Sequence, residues 1–384
     1  MKRLFMILLS VFCCFITISC ATDNPPSTES NNSDSSLTDT LTTNILTTET
    51  SKTFLSLTLA GNSLDGYTIV YAASPYESLS QEMNLVTDFD CQTATKLQKM
   101  LKEYTGIELP VLKDSERTET EKEIRVGKTN RLTEDVPQEF GYRISLSSGN
   151  LTICGAEYGV TWHAVDTFLA PLIGGTDMNL EEGYFLEGTF PLTTIACIGD
   201  SITYGEHNRM RSYPAFLGFL LWQDYSVINY GHAGTTMRSD LGTPYKNTKA
   251  FADCKAADAD IYLLMLGTND SYWDPQWTDT DDQRFLNSCI EILNAVDPDK
   301  KAEIFILNCP VYYGSGKYAS EQVRTLQEQL PKILVDQGYN AGFFDMYAFT
   351  KESLPAKYFP DQIHPTSEGY RIIAEELYKF IIKK

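Results

Sequence analysis

Basic residues are scarce in this chain. Its 384 residues hold 31 Lys and Arg against 51 Asp and Glu, a formal net charge of −20. A surface of that sign repels phosphate backbones and anionic headgroups, so nucleic acid is not among the expected partners. Cysteine occurs nine times but never as CxxC or in a Cys/His cluster, and no metal or cofactor is expected. Asp279, Asp281 and Asp282 lack the Gly and Glu spacing of a calcium loop and read as a solvated run. Residues 54–190 offer no carboxylate pair marked out for glycosidase chemistry, and no internal repeat is evident. One long apolar run exists, Leu4 to Ile18, and it is short for a membrane span. What is present suffices for real cores: 42% of residues are hydrophobic and 12% aromatic. The length exceeds one ordinary domain and falls short of three.

The first residues read as a targeting segment, residues 1–19, with Lys2 and Arg3 ahead of the apolar run. It ends Thr17-Ile18-Ser19-Cys20-Ala21, and a small residue before a cysteine here resembles a bacterial lipobox. That resemblance implies a lipidated Cys20, a membrane anchor and a cell-surface or periplasm-facing location, with ordinary secretion as the alternative. Residues 20–53 are dominated by Ser, Thr, Asn, Asp and Pro and form a flexible tether, with a reach of roughly 30 Å. Cys13 and Cys14 leave with the signal. Of the six others, Cys197, Cys289 and Cys309 sit in apolar runs without paired spacing, which favours free thiols over disulfides.

Residues 54–190 read as a small α+β domain. Leu55 to Leu59 alternates as a strand, Tyr67 to Tyr71 follows a turn, and Ala94, Leu97, Leu101 and Tyr104 repeat at helical spacing. Leu109 to Leu112 and Glu123 to Gly127 look like strands, and Tyr142 to Leu146 with Leu151 to Cys154 form a hairpin. A last helix carries Val160, Ala164, Val165 and Phe168, with His163 packed or solvated on it. This order, with Gly-Tyr-x-Ile at 141–144 and Leu-Thr-Ile-Cys-Gly at 151–155, resembles the accessory α/β domain of several secreted glycoside hydrolases. Residues 191–384 change character. Five β-like runs alternate with helical patterns, which implies a parallel sheet covered on both faces.

Ser201 follows the first of those runs in Gly199-Asp200-Ser201-Ile202-Thr203-Tyr204-Gly205, the pattern of a strand feeding a tight turn into a helix. There the hydroxyl is exposed beside amides able to receive an oxyanion. The second run ends Asn229-Tyr230-Gly231-His232-Ala233-Gly234, the third Gly267-Thr268-Asn269-Asp270, and Asp361-Gln362-Ile363-His364-Pro365-Thr366 lies near the end. Ligands bind outside the carboxyl ends of parallel strands, so topology aims three of these segments at one rim. A serine needs a base, for which His364 is the candidate, and the imidazole needs an acceptor, for which Asp361 is close enough. The N–H groups of Ser201 and Gly231 and the amide of Asn269 are candidate oxyanion donors. Asp200 and Asp270 read as residues that hold turns. His207 and His232 could rim the pocket.

The four blocks, in this order, resemble those of the SGNH (GDSL) hydrolase family over the C-terminal half. The resemblance implies a flavodoxin-like three-layer α/β sandwich and ester hydrolysis without a cofactor. It assigns Ser201 as nucleophile, Gly231 and Asn269 as oxyanion donors with the Ser201 amide, His364 as base and Asp361 as its support. A Gly-x-Ser-x-Gly elbow is absent around Ser201, which argues against an ordinary α/β-hydrolase. Tyr272, Trp273 and Trp277, just past Asn269, could form a platform for a sugar ring or pack the loop down. Tyr312 and Tyr313 add aromatic character after another strand end. A polar, aromatic loop suits a short acyl group on a polar alcohol, so the expected substrate is an acylated carbohydrate. The rivals are lipid or thioester hydrolysis by the same triad, and a surface lipoprotein that binds glycan through residues 54–190.

Overall fold

The computed structural model describes residues 53–383, apart from Val86, Glu134, Val136, 208–210, Pro275 and 316–317. The signal segment 1–19, Cys20 and nearly all of the tether 20–53 lie outside the described residues.

The C-terminal half is built on a five-stranded parallel sheet. In spatial order its strands are Tyr225–Gly231, Thr193–Gly199, Ile261–Met265, Glu303–Leu307 and Asn340–Phe344, which is 2-1-3-4-5 by sequence. That is the flavodoxin-like order expected, and its switch point lies beside the first strand. Side chains alternate across the sheet. Ile195, Cys197, Leu263 and Phe305 enter one buried cluster, while Ala196, Ile198, Tyr262, Leu264 and Ile304 enter the other. The first is covered by helices Tyr213–Leu221, Met346–Ser353 and Ser367–Ile382, the second by Lys249–Lys255, Asp279–Val296 and Glu321–Asp336. Both faces being dry explains why these strands read as continuous apolar runs.

The N-terminal half carries its own core over a six-stranded sheet. Strands Val111–Lys113, Thr68–Tyr71, Glu123–Val126 and Asn150–Gly155 run parallel, and Gly141–Ser147 and Phe185–Thr189 continue antiparallel. The α+β expectation thus meets a sheet in which parallel pairing leads. Helix Phe89–Thr105 is capped by Asp88, whose carboxylate accepts the Cys91 N–H, and is stopped at Gly106 with φ of 76°. Its face of Ala94, Leu97 and Leu101 meets Ala164, Val165 and Phe168 of helix Tyr158–Ile173 over the sheet.

The core of the N-terminal half is distinct from the two clusters on the parallel sheet, yet Thr53–Lys384 forms one compact unit. A short helix missed by pattern, Glu77–Met83, crosses the 190/191 division: Leu79 is buried in a core of the parallel-sheet half, with Tyr76 and Met83 packed against it. Glu82 at its end makes a two-pronged ion pair with Arg211. His163 stacks on Phe190 at 3.7 Å and approaches both the Gln223 carbonyl and Asp224, each at 3.1 Å. All six cysteines of the described residues are free, five of them buried, as the apolar runs suggested.

Candidate active site

The first strand of the parallel sheet ends at Gly199, where a Cβ would lie 2.0 Å from Thr203 Oγ1. The following helix therefore packs directly onto the strand end. Asp200 caps that helix, Ser201–Tyr204, by accepting the Ile202 N–H at 3.0 Å, and Gly205 ends it in the left-handed region at φ 82°. Ser201 is the first helical residue and has no preceding turn to receive its amide. Asp200 is fully buried, and burial raises its carboxyl above the usual range.

Ser201 Oγ lies 2.8 Å from His364 Nε2, and His364 Nδ1 lies 2.6 Å from Asp361 Oδ2. The other carboxylate oxygen, Oδ1, accepts the backbone N–H groups of His364 at 2.8 Å and Ile363 at 3.0 Å. Partial burial pushes this carboxyl up, but the hydrogen bonds from the His364 ring and from the two amides prevail and hold it well below its ordinary range. An ionised Asp361 can only accept, so Nδ1 carries the hydrogen and Nε2 is left as acceptor for the serine hydroxyl. The turn that permits this places Gln362 at φ 72°, a left-handed conformation costly for a residue with a Cβ. Thr366 then caps helix Ser367–Ile382, which fixes His364 just ahead of a rigid element.

The expected oxyanion donors divide. Asn269, at the mouth of the third strand, donates one amide hydrogen to the Thr235 carbonyl at 2.9 Å and retains a second. Gly231 departs from expectation, because its N–H donates to Asn229 Oδ1 at 2.8 Å. Its lack of a side chain has a packing cause as well: a Cβ there would stand 2.2 Å from the Tyr204 amide. Asn229, to which the sequence reading gave no role, also donates to the Thr203 carbonyl at 2.8 Å and lies 3.2 Å from Ser212 Oγ, strapping the helix Ser201–Tyr204 to the second strand. Asp270 is fully buried and accepts the N–H groups of Met237 and Arg238 at 2.9 Å each, and burial lifts its carboxyl to about 6. Asp200 and Asp270 thus hold turns, as expected.

The aromatic loop is split. Tyr272 and Trp273 are about half exposed, and Tyr272 stacks on Tyr318 at 4.6 Å. Tyr312 lies 5.5 Å from the same Tyr318, whereas the Tyr313 hydroxyl is tied to the Leu354 carbonyl. Trp277 is not a rim residue. Its indole donates to Asp282 at 2.6 Å, and its ring packs on Phe285 and under the Arg238 guanidinium. Of the aspartates read as a solvated run, Asp279 is exposed but Asp281 and Asp282 are engaged. Asp281 is buried, forms a capping box with Thr278 and pairs with Arg238 at 3.0 Å, and Asp282 also accepts from Gln322. His232 is exposed, and its Nδ1 lies 3.2 Å from the Ala233 carbonyl. His207 is drawn into the site instead: its Nε2 lies 3.3 Å from Asp361 Oδ2, from a backbone at φ 70°. His207, Asp361 and His364 bring three potential ligand atoms within 4.8 Å of one another, although two of these residues are already committed to the serine relay.

A serine, imidazole and carboxylate in series, at the carboxyl ends of a 2-1-3-4-5 sheet, can activate a hydroxyl for attack on a carbonyl. The model of the GDSL-like lipase/acylhydrolase family matches residues 197–372. That segment belongs to this family. The GDSL segment contains all four blocks read from the sequence. An acetylxylan esterase of Xylanibacter ruminicola is 29% identical over 207 residues, covering 47% of this chain and 41% of the relative. The chain thus spans less than half the length of the curated relative it matches. Among solved structures, the chain is similar to Axe2, an acetylxylan esterase of Geobacillus stearothermophilus, with 20% identity, a TM-score of 0.36, 49% of this chain and 94% of that one. It is also similar to a carbohydrate acetylesterase family member from Sinorhizobium meliloti, with 21% identity, a TM-score of 0.38, 50% of this chain and 98% of that one.

Proposed function

We propose that this protein is an exported, lipid-anchored serine esterase that removes short acyl groups, acetyl foremost, from carbohydrate. The observation that carries the reading is the unbroken relay of Asp361, His364 and Ser201, with 2.6 Å and 2.8 Å contacts on the two nitrogens of one imidazole. Ser201 Oγ bonds to the ester carbonyl carbon while His364 Nε2 takes its proton. The tetrahedral oxyanion is received by the Ser201 amide and the second Asn269 amide hydrogen. Collapse expels the sugar oxygen, which takes the proton back from His364. Water, deprotonated by the same nitrogen, then attacks the acyl-serine, and the carboxylate leaves with Ser201 restored. Similarity to an acetylxylan esterase supports an acetylated polysaccharide as substrate, and the half-exposed Tyr272 and Trp273 support a sugar ring at the rim. Export and the anchor rest on the basic, apolar and Ser19-Cys20 pattern of the first residues, and Cys20→Ser is expected to move the protein out of the membrane fraction.

The deciding experiment is acetate release from acetylated xylan and from an activated acetate ester. Ser201→Ala is expected to lower kcat at least about 10³-fold on both, with the melting temperature unchanged. Retention of full activity by Ser201→Ala would refute the reading, and preference for eight or more acyl carbons over acetyl would transfer it to lipid.

A further inference from the structure

A cleft of about 650 Å³ lies between the two halves of the chain, and it shares no lining residue with the serine relay. One wall is the carboxyl edge of the N-terminal sheet: Ala72 follows the strand Thr68–Tyr71, Lys128 follows Glu123–Val126, and Ala156 follows Asn150–Gly155. Carboxyl edges of parallel strands are where such sheets hold ligands. Two helices of 17 and 16 residues, Phe89–Thr105 and Tyr158–Ile173, start at this edge. The second begins at Glu157, whose side chain makes no capping bond. The opposite wall is the hydrolase helix Tyr213–Leu221 with Trp222 and the start of the strand Tyr225–Gly231.

The lining is aromatic with a few polar groups. Phe89 packs against Tyr158 and Trp222 at ring distances of 5.0 Å each, and Tyr76 against Phe219 at 5.2 Å. Of these five rings, all but Phe89 are half-buried. Within this apolar setting lies Asp90, 5% exposed, whose Oδ1 has no hydrogen-bond partner. A buried carboxylate oxygen without a donor is costly, and nothing in the helix Phe89–Thr105 needs it there, because Asp88 supplies the cap. Lys128, exposed, donates to the Ala156 carbonyl at 2.6 Å across the edge, and Glu157 and Ser226 complete the polar lining.

We propose that this cleft is a second binding site, built from both halves of the chain, that takes a neutral oligosaccharide. A hydrocarbon would leave Asp90 Oδ1 unpaired, and an anion would face the carboxylates of Asp90 and Glu157. A pyranose ring fits both features, since its C–H face rests on aromatic rings while its hydroxyls donate to Asp90 and Glu157 and accept from Lys128. The size is within the usual range of small-ligand sites. The choice of sugar rests on the esterase reading; the cleft itself does not. In that arrangement the second site holds a polysaccharide strand while the serine works on esters along it.

The test uses the full chain carrying Ser201→Ala, titrated calorimetrically with xylotetraose, cellotetraose and chitotetraose, none of which bears an ester. Saturable binding of at least one is expected. Asp90→Leu and Lys128→Ala should each weaken it at least 10-fold, while Trp273→Ala, at the serine's rim, should leave it unchanged. Protection from hydrogen exchange at residues 89–90, 156–158 and 222 on adding the sugar locates the site without any substitution. No saturable binding of the three, equal affinity in the Asp90 and Lys128 variants, or loss with Trp273→Ala overturns the proposal. In the background with Ser201 intact, Asp90→Leu and Lys128→Ala should hydrolyse an activated acetate ester at the unsubstituted rate. Absence of that hydrolysis in the unsubstituted protein would count against the esterase reading and leave the cleft standing.

Discussion

Asp361 shows how much one side chain can be asked to do. One oxygen accepts two backbone amides and shapes the turn at 361–364, and the other holds the tautomer of His364. Asp361→Asn keeps the shape but presents an amide N–H where an acceptor is needed. The expected result is a fall in kcat of about 10⁴-fold with KM little changed, measured on an activated acetate ester. The native carboxyl sits below its unfolded value, so its stabilising contribution is present above about pH 4 and is lost as pH falls through the lower native value. Ser201 and Asn269 were legible as short blocks at strand ends, and Asp361 and His364 as a block just ahead of the last helix. His207 was legible only as a possible rim residue; its approach to Asp361 depends on a left-handed backbone that composition does not announce. The engagement of Gly231 by Asn229 was equally hidden, since Asn-x-Gly reads the same whichever way the asparagine amide turns.

At the level of elements, the loop after Asn269 separates two tryptophans that the sequence left equal. Trp273 lies about half exposed against Gly242, and Trp277 is locked between Asp282, Phe285 and Arg238. Trp273→Ala is expected to raise KM several-fold on acetylated xylan with an unchanged melting temperature. Trp277→Ala should cost about 3 kcal/mol of unfolding free energy, measured by denaturant titration, with the activity loss tracking the stability loss. What distinguishes them is long-range. Arg238, 2% exposed, gathers Asp240, Asp274 and Asp281 from three segments, and no local pattern reveals which tryptophan falls under it. The five parallel strands were legible as apolar runs because both faces of the sheet are covered. The helix Glu77–Met83 was missed because its seven residues bury Leu79 alone.

For the whole molecule, the relevant quantity is how the two halves share a boundary. Burial raises Asp90 to about 7; Asp88 and Asp114 push the same way, and Lys128 opposes them. Tyr158 closes the same corner from the other helix. A carboxyl raised in the folded state contributes stability fully below its unfolded value, near 4, and loses it as pH rises through about 7. Asp90→Asn abolishes that titration. The stability of the unsubstituted protein relative to Asp90→Asn should therefore fall by a few kcal/mol, at most about 4, between pH 4 and pH 8, read from denaturant midpoints at each pH. The change from mixed patterning to repeated strand and helix near residue 190 was visible, and the buried clusters of the parallel sheet differ from that of the N-terminal sheet, although one of them takes in Leu79. That the halves are nonetheless one compact unit was not visible, because it depends on a few side chains such as Tyr76, Leu79 and Glu82 reaching across.

The helix Glu77–Met83 bears on what could be inherited or engineered separately. It lends an apolar side chain to the neighbouring core and fastens itself to Arg211, a few residues beyond the helix Ser201–Tyr204. A chain cut at 190 would leave the catalytic part with an open greasy notch and a stranded arginine, so the two halves are better treated as a single transferable cassette than as separable modules.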